Sequence, residues 1–100
     1  MDAAKIAKIS KALADPTRLR IYEAIASQPE ICCSEIIDTY GLSPGTVSHH
    51  LKTLMAAGLI ACQRDGHFVH SRPVPQTMRA YTQTLARMIF PRAKLERTVR

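Results

Sequence analysis

Between Leu42 and Gly58 the chain reads Leu-Ser-Pro-Gly-Thr-Val-Ser-His-His-Leu-Lys-Thr-Leu-Met-Ala-Ala-Gly. Its hydrogen-bonding side chains Ser43, Thr46, Ser48, His49 and Lys52 are small, polar or basic, and no carboxylate interrupts them. Such groups donate to phosphate oxygens and base edges, whereas an acid among them would repel a nucleic-acid backbone. Helical spacing collects Gly45, Ser48, His49 and Lys52 on one side, with Thr46 beside them. Val47, Leu51, Leu54 and Met55 fall on the other. Ser43 is placed to cap this helix, with Pro44 at the first helical position, where its missing N–H costs nothing. Gly58 supplies the left-handed residue that ends it. A short helix with a dry back and an acid-free front suits a DNA groove.

The remaining histidines divide by position. His50 borders the apolar stripe and reads as a packed, hydrogen-bonded residue. His67 and His70 are three apart in an extended region, so they point to opposite faces and form no one-face metal pair. His67, with Arg64, reads as a minor-groove or phosphate contact, and Arg72 as a further phosphate contact. Ser48 neighbours His49 and His50 in sequence, but on a helix they point outward with no orienting acid, and no catalytic arrangement stands out. The chain does not read as an enzyme.

The elements that must position these groups follow from Gly/Pro punctuation. A first helix covers residues 3–13, with Ile6, Ile9 and Leu13 on one side and Lys5, Lys8 and Lys11 elsewhere. Asp15 and Pro16 open a second helix, whose wide stripe of Leu19, Ile21, Tyr22, Ile25 and Ala26 implies a central position. A third runs from Cys32 to Tyr40. Only Gly41, Leu42 and Ser43 separate it from the reader helix at 44–57, a helix-turn-helix spacing. Two extended runs, Leu59–Arg64 and His67–Arg72, flank Asp65-Gly66 and form a hairpin wing across 59–72. A last helix covers 75–90, and a basic tail with Arg92, Lys94, Arg97 and Arg100 covers 91–100.

The expected fold is therefore one winged helix-turn-helix domain, mainly α, with five helices and a two-stranded wing. The first and last helices carry apolar surface beyond what the winged unit needs. A homodimer through Ile6, Ile9, Met78, Tyr81, Leu85, Met88 and Ile89 is the expected way to cover it.

Composition agrees with a nucleic-acid partner. One hundred residues carry a formal +6, unevenly placed. Residues 1–42 hold five Lys/Arg against six Asp/Glu, and residues 43–100 hold nine against two. The basic half thus begins at the reader helix, which fits a phosphate-facing surface. No run of about 18 apolar residues is present, so no transmembrane helix or membrane partner is expected. Three cysteines, two of them adjacent, do not resemble a secreted disulfide framework, and the cytoplasm is the expected location.

Four stretches in register resemble the ArsR/SmtB family. They are Lys11-Ala-Leu-Ala-Asp-Pro-Thr-Arg-Leu-Arg20, Leu42-Ser with Thr46-Val-Ser-His-His-Leu-Lys-Thr-Leu54, Ala57-Gly-Leu-Ile60 and Arg64-Asp-Gly-His-Phe-Val-His70. The resemblance implies a small dimeric winged-helix repressor that leaves double-stranded operator DNA when an inducer binds or a thiol reacts. It implies DNA contacts at Ser43, Thr46, Ser48, His49 and Lys52 and at the wing tip. The family usually has Gln-Pro after the capping Ser, where this chain has Pro44-Gly45, so base selection falls on Thr46, Ser48 and His49. A protein-interaction module that does not bind specific DNA is the alternative.

The trigger is less determined. Arsenic- and cadmium-sensing members open the third helix with a Glu-Leu-Cys-Val-Cys-Asp-Leu box, and this chain has Glu30-Ile-Cys-Cys-Ser-Glu-Ile36. Cys32 matches the first box cysteine, Cys33 replaces the valine and Ser34 replaces the second cysteine, which breaks the ligand spacing. Cys62 is a third ligand in principle, or a small buried hydrophobe. Cys32 and Cys33 open a helix, where the dipole favours thiolate. Arsenite or another thiophilic ion at Cys32/Cys33 is thus the one cofactor expectation, against a cysteine-independent signal. The last helix lacks His, Asp, Glu and Cys, which excludes the family's other common metal site.

Overall fold

A computed structural model describes residues 1–90. The basic tail assigned to 91–100 lies outside the described residues. Five helices and three short strands follow in the order α1 (Ala3–Ala12), α2 (Pro16–Ala26), β1 (Ile31–Cys32), α3 (Cys33–Tyr40), α4 (Pro44–Ala56), β2 (Ile60–Asp65), β3 (Phe68–Pro73) and α5 (Pro75–Ile89). This is a winged helix-turn-helix domain, as the sequence implies.

Local signals set most boundaries. The carboxylates of Asp2 and Asp15 accept the amides of Lys5 and Arg18, each at 2.8 Å, and so cap α1 and α2. Gly41, at φ 63°, closes α3. Ser43 Oγ accepts the Thr46 amide at 3.2 Å and opens α4 with Pro44 in the first turn. At the far end of α4 the Leu59 amide reaches Leu54 carbonyl oxygen at 3.1 Å, and the Gly58 amide reaches that of Met55 at 2.9 Å. This paired arrangement needs a left-handed residue, and Gly58 has φ 76°. Leu54 and Leu59 are both fully buried beneath it, so one motif stops the helix and sends the chain into β2.

The core is assembled from α1, α2, α3, α4 and the sheet. Ile9, Ile21, Ile25, Ile36, Val47, Leu54 and Leu59 are wholly buried. Burial of this kind is worth about 1.5–3 kcal/mol per side chain, so this cluster fixes the angle at which α4 is presented. The second helix is less enclosed than its stripe implied. Leu19 is 45% exposed and Ala26 is exposed, because only Ile21, Tyr22 and Ile25 turn inward.

Three further corrections concern the wing and the dimer surface. The two-stranded hairpin is joined by a third, short strand that the sequence reading lacks. Ile31 and Cys32 pair antiparallel with Ser71 and His70, giving a sheet in the order β1-β3-β2. The hairpin turn lies one residue later than Asp65-Gly66, because Asp65 pairs with Phe68 and the tip is Gly66-His67. Gly66, at φ 62°, is thereby the first central residue, and His67 has no positive φ. That is the requirement of a type II′ turn, whereas a tip of Asp65-Gly66 would ask Asp65 for a left-handed conformation. Lastly, Ile6 is 6% exposed and Ile9 is fully buried, so both belong to the chain's own interior and leave no surface for a second copy.

Helix α5 behaves differently. None of its residues is buried, and Met88, Ile89 and Phe90 are 55%, 58% and 45% exposed. It docks on α1 through its first half, where Met78 and Tyr81 pack against the core and Tyr81 Oη lies 2.9 Å from Ser10 Oγ.

Candidate nucleic-acid interface

The back of α4 is held by Val47, Leu51 and Leu54, which leaves its front free. Ser43, Thr46, His49 and Lys52 are exposed and Ser48 is half-buried. Ser43 and Thr46 are also bonded to one another, Oγ to Oγ1 at 2.8 Å, so the cap fixes the entry of the helix. Thr53 returns its hydroxyl to the His49 carbonyl oxygen at 3.1 Å.

The front is a ridge between two hollows. On the wing side, a cavity of about 170 Å³ is lined by Ser48, Lys52, Arg64, Cys33 and Cys62. On the α1 side, a groove of about 390 Å³ is lined by His49, Lys52, Lys8, Lys11 and Arg18. Ser48 and His49 therefore look to opposite flanks, and Lys52 borders both. Neither hollow has a carboxylate in its lining. The arrangement offers hydroxyl, imidazole and ammonium groups to a polyanion, which is what phosphate and base-edge recognition require.

Behind this front, Arg18 ties three helices together. Its Nε donates to the Ala12 carbonyl oxygen at 2.6 Å and its Nη2 to that of Lys11 at 3.2 Å, satisfying the open end of α1. Its Nη1 lies 3.4 Å from His50 Nδ1 on α4. His50 is buried, and burial pushes its pKa below the ordinary imidazole value. Asp15 opposes that shift, while Arg18 and His49 add to it. His50 therefore serves the packing of α4 as a neutral ring, six ångströms from the exposed ring of His49 (centroids 6.0 Å apart).

Arg64, His67 and Arg72 are all exposed on the wing. Arg64 closes the small cavity beside α4, His67 sits in the tip turn, and Arg72 lies at the root with Gln63 and His70. His70 Nδ1 is 3.0 Å from Glu30 Oε1, a contact that fastens β3 to the residue preceding β1. Forty residues separate this pair in the chain, and nothing in the local sequence signals it.

The cysteines do not converge. Cys32 and Cys33 line one hollow with Ser34, and Cys33 and Cys62 line another. Cys62 Sγ pairs with the buried Ser71 hydroxyl at 3.1 Å, and Ser34 Oγ donates to Cys32 Sγ at 3.3 Å. Among the described residues no three His, Cys, Asp or Glu side chains form a metal set. A three-thiolate site for arsenite does not fit this arrangement. The expectation of a thiolate at Cys33 also fails, because burial pushes its thiol pKa up, and negative charge on Cys32 and Cys62 adds to the shift.

Comparison with known proteins gives this geometry a context. Residues 13–63 match a family described as "Helix-turn-helix domain". An uncharacterized HTH-type transcriptional regulator of Methanocaldococcus jannaschii is 40% identical over 62 residues, covering 62% of this chain and 70% of that protein. The arsenic resistance transcriptional regulator ArsR1 of Pseudomonas putida is 37% identical over 68 residues, covering 68% of this chain and 53% of the relative. The chain thus spans about half the length of that regulator. In three dimensions it is similar to the homodimeric winged helix-turn-helix DNA-binding domain of a possible ArsR-family regulator from Mycobacterium bovis. The two have a TM-score of 0.69 and 24% identity, over 89% of this chain and 82% of the other. A front fit for phosphate and base edges, on this fold and with these relatives, places the chain in the ArsR family of helix-turn-helix transcriptional regulators, DNA-binding proteins and not enzymes.

Proposed function

We propose that this chain is a homodimeric repressor that binds a palindromic operator and leaves it on receiving a signal. The observation that carries the reading is the acid-free ridge of α4, held from behind by a buried core and flanked by Lys8, Lys11, Arg18 and Arg64. Thr46, Ser48 and His49 read base edges in this scheme. Ser43 and Lys52, with Arg64, His67 and Arg72 on the wing, hold phosphates. Two copies related by a two-fold axis would set their reader helices about 34–36 Å apart, one turn of duplex. The end of α5, with Met88 and Ile89 exposed and Leu85 half-buried, supplies the surface for pairing. The Mycobacterium bovis domain, homodimeric with the same fold, supports that arrangement.

A mobility-shift titration on the DNA upstream of its own reading frame tests this. A salt-sensitive shift at micromolar protein or below is expected, with preference over scrambled duplex. Absence of any shift would favour a protein-interaction module. His49→Ala should reduce the preference for operator over scrambled duplex by about 1–3 kcal/mol of discrimination, and an unchanged preference would remove His49 from the base readers.

A thiol trigger is the second reading, favoured by one observation: Cys33 and Cys62 share a cavity with Ser48, Lys52 and Arg64. A reagent that enlarged either side chain would press on the reader helix and wing together. Under this reading Cys33→Ser binds DNA normally and no longer releases it with arsenite, persulfide or peroxide. If neither this substitution nor Cys32→Ser changes release, the signal is independent of this cysteine pair.

A further inference from the structure

The scheme above uses the 390 Å³ groove between α1 and the second half of α4 as a basic flank of the reading ridge and assigns a DNA contact only to its His49 and Lys52 wall. Its other wall is α1. Lys8 and Lys11 are three residues apart, so they share a helix face, and both are exposed. Lys5 is excluded from the groove, since its Nζ lies against Gly58 on another side. The groove therefore gathers the ammonium groups of Lys8, Lys11 and Lys52, the Arg18 guanidinium and the His49 imidazole.

Two features would ordinarily weaken an anion site here, and Arg18 engages both. The open carbonyl end of α1 carries partial negative charge, and Arg18 covers the Lys11 and Ala12 oxygens. The Asp15 carboxylate is the acid nearest in sequence, and it is bonded to the Arg18 amide. Lys8, Lys11 and Lys52 form no ion pair among the described residues.

We propose that this groove is a second phosphate seat for duplex DNA, in which Lys8 and Lys11 grip the backbone flanking the bases read by α4. The inference rests on the DNA-binding reading and extends its footprint to α1. Continuity selects duplex over a free anion: His49 and Lys52 line the groove and also stand on the reading ridge, so a strand lying against one reaches the other. The contact carries no base information. It sets register and adds counterion release.

The test is fluorescence-anisotropy titration of an upstream duplex and a scrambled duplex across a salt series. It compares wild type, Lys8→Ala/Lys11→Ala and Lys8→Arg/Lys11→Arg. The alanine pair should weaken both duplexes by the same factor. It should also reduce the slope of log affinity against log salt by about 1.8, two phosphates at about 0.9 each. The arginine pair should restore both, which separates charge from folding. An alanine pair that matches wild type overturns the seat and leaves the DNA reading standing. So does a loss confined to the upstream duplex, or a loss the arginine pair fails to rescue. A wild-type protein that binds neither duplex overturns both.

Discussion

Helices α4 and α5 are similar in length, thirteen and fifteen residues, and each carries an apolar stripe. The first buries Val47, His50, Leu51 and Leu54 inside its own chain, and the second buries no residue fully, with only Met78 and Tyr81 packed partway against the core. The same kind of periodicity thus serves two purposes. In α4 it orients a polar face with the rigidity of a packed core, because α1, α2, α3 and β2 all pack against the helix. In α5 only the first half is engaged, and the end with Met88 and Ile89 is left to another surface. An apolar stripe establishes that a helix face will be covered. It does not establish by which chain.

Core substitution breaks this contrast most sharply. Leu54→Ala should lower unfolding free energy by about 2–5 kcal/mol, read by urea denaturation, whereas Leu85→Ala in a monomeric background should cost less than about 1 kcal/mol. Equal losses would mean that α5 is as integral to the monomer as α4. Next in size is Met88→Glu/Ile89→Glu, which places two charges where the proposed second copy would sit. It should weaken association on the order of 100-fold by light scattering while circular dichroism stays native. If this double variant remains dimeric, pairing lies elsewhere.

Lys52→Ala probes the face that α4 is packed to present. It should weaken operator and scrambled duplex alike and lower the salt slope by about 1, with unfolding unchanged. The smallest effect comes from His50, the polar member of the buried back. Its folded pKa lies below the unfolded value, so the unfolded chain binds the proton more readily. Stability is therefore full above the ordinary imidazole pKa and falls as pH drops through the folded one. His50→Gln should remove that slope between neutral and mildly acidic pH.

What the sequence made legible follows the range of the causes. Ser43-Pro44 and Gly58 act within one turn of the chain, so the limits of α4 were readable to a residue. The polar front of that helix was readable for the same reason, since spacing alone defines it. The third strand was not, because two residues at 31–32 become a strand only through partners at 70–71. Glu30–His70, and the approach of Lys8 and Lys11 to His49, likewise depend on distant chain segments meeting. For Ile6 and Ile9 the sequence displays apolarity but not its destination, which is the chain's own interior. At the wing tip, Asp65-Gly66 signalled a hairpin correctly, and the backbone preference of Asp65 moved its register by one.

The unequal width of the wing sheet has a mechanical consequence. Midway along the hairpin the rows Ile31–Ser71–Cys62 and Cys32–His70–Gln63 are three strands wide, while Ile60–Pro73 and Ala61–Arg72 at the base and Arg64–Val69 and Asp65–Phe68 near the tip are only two. The wing is thus a lever, stiff where β1 braces it and compliant at its free end. Under the proposed DNA-binding reading, a compliant end carrying Arg64 and His67 would adjust to minor grooves of different width without disturbing the domain. The bracing strand runs directly into α3 at Cys33, so a displacement imposed there is passed to the helix-turn-helix as a whole and not absorbed along the way.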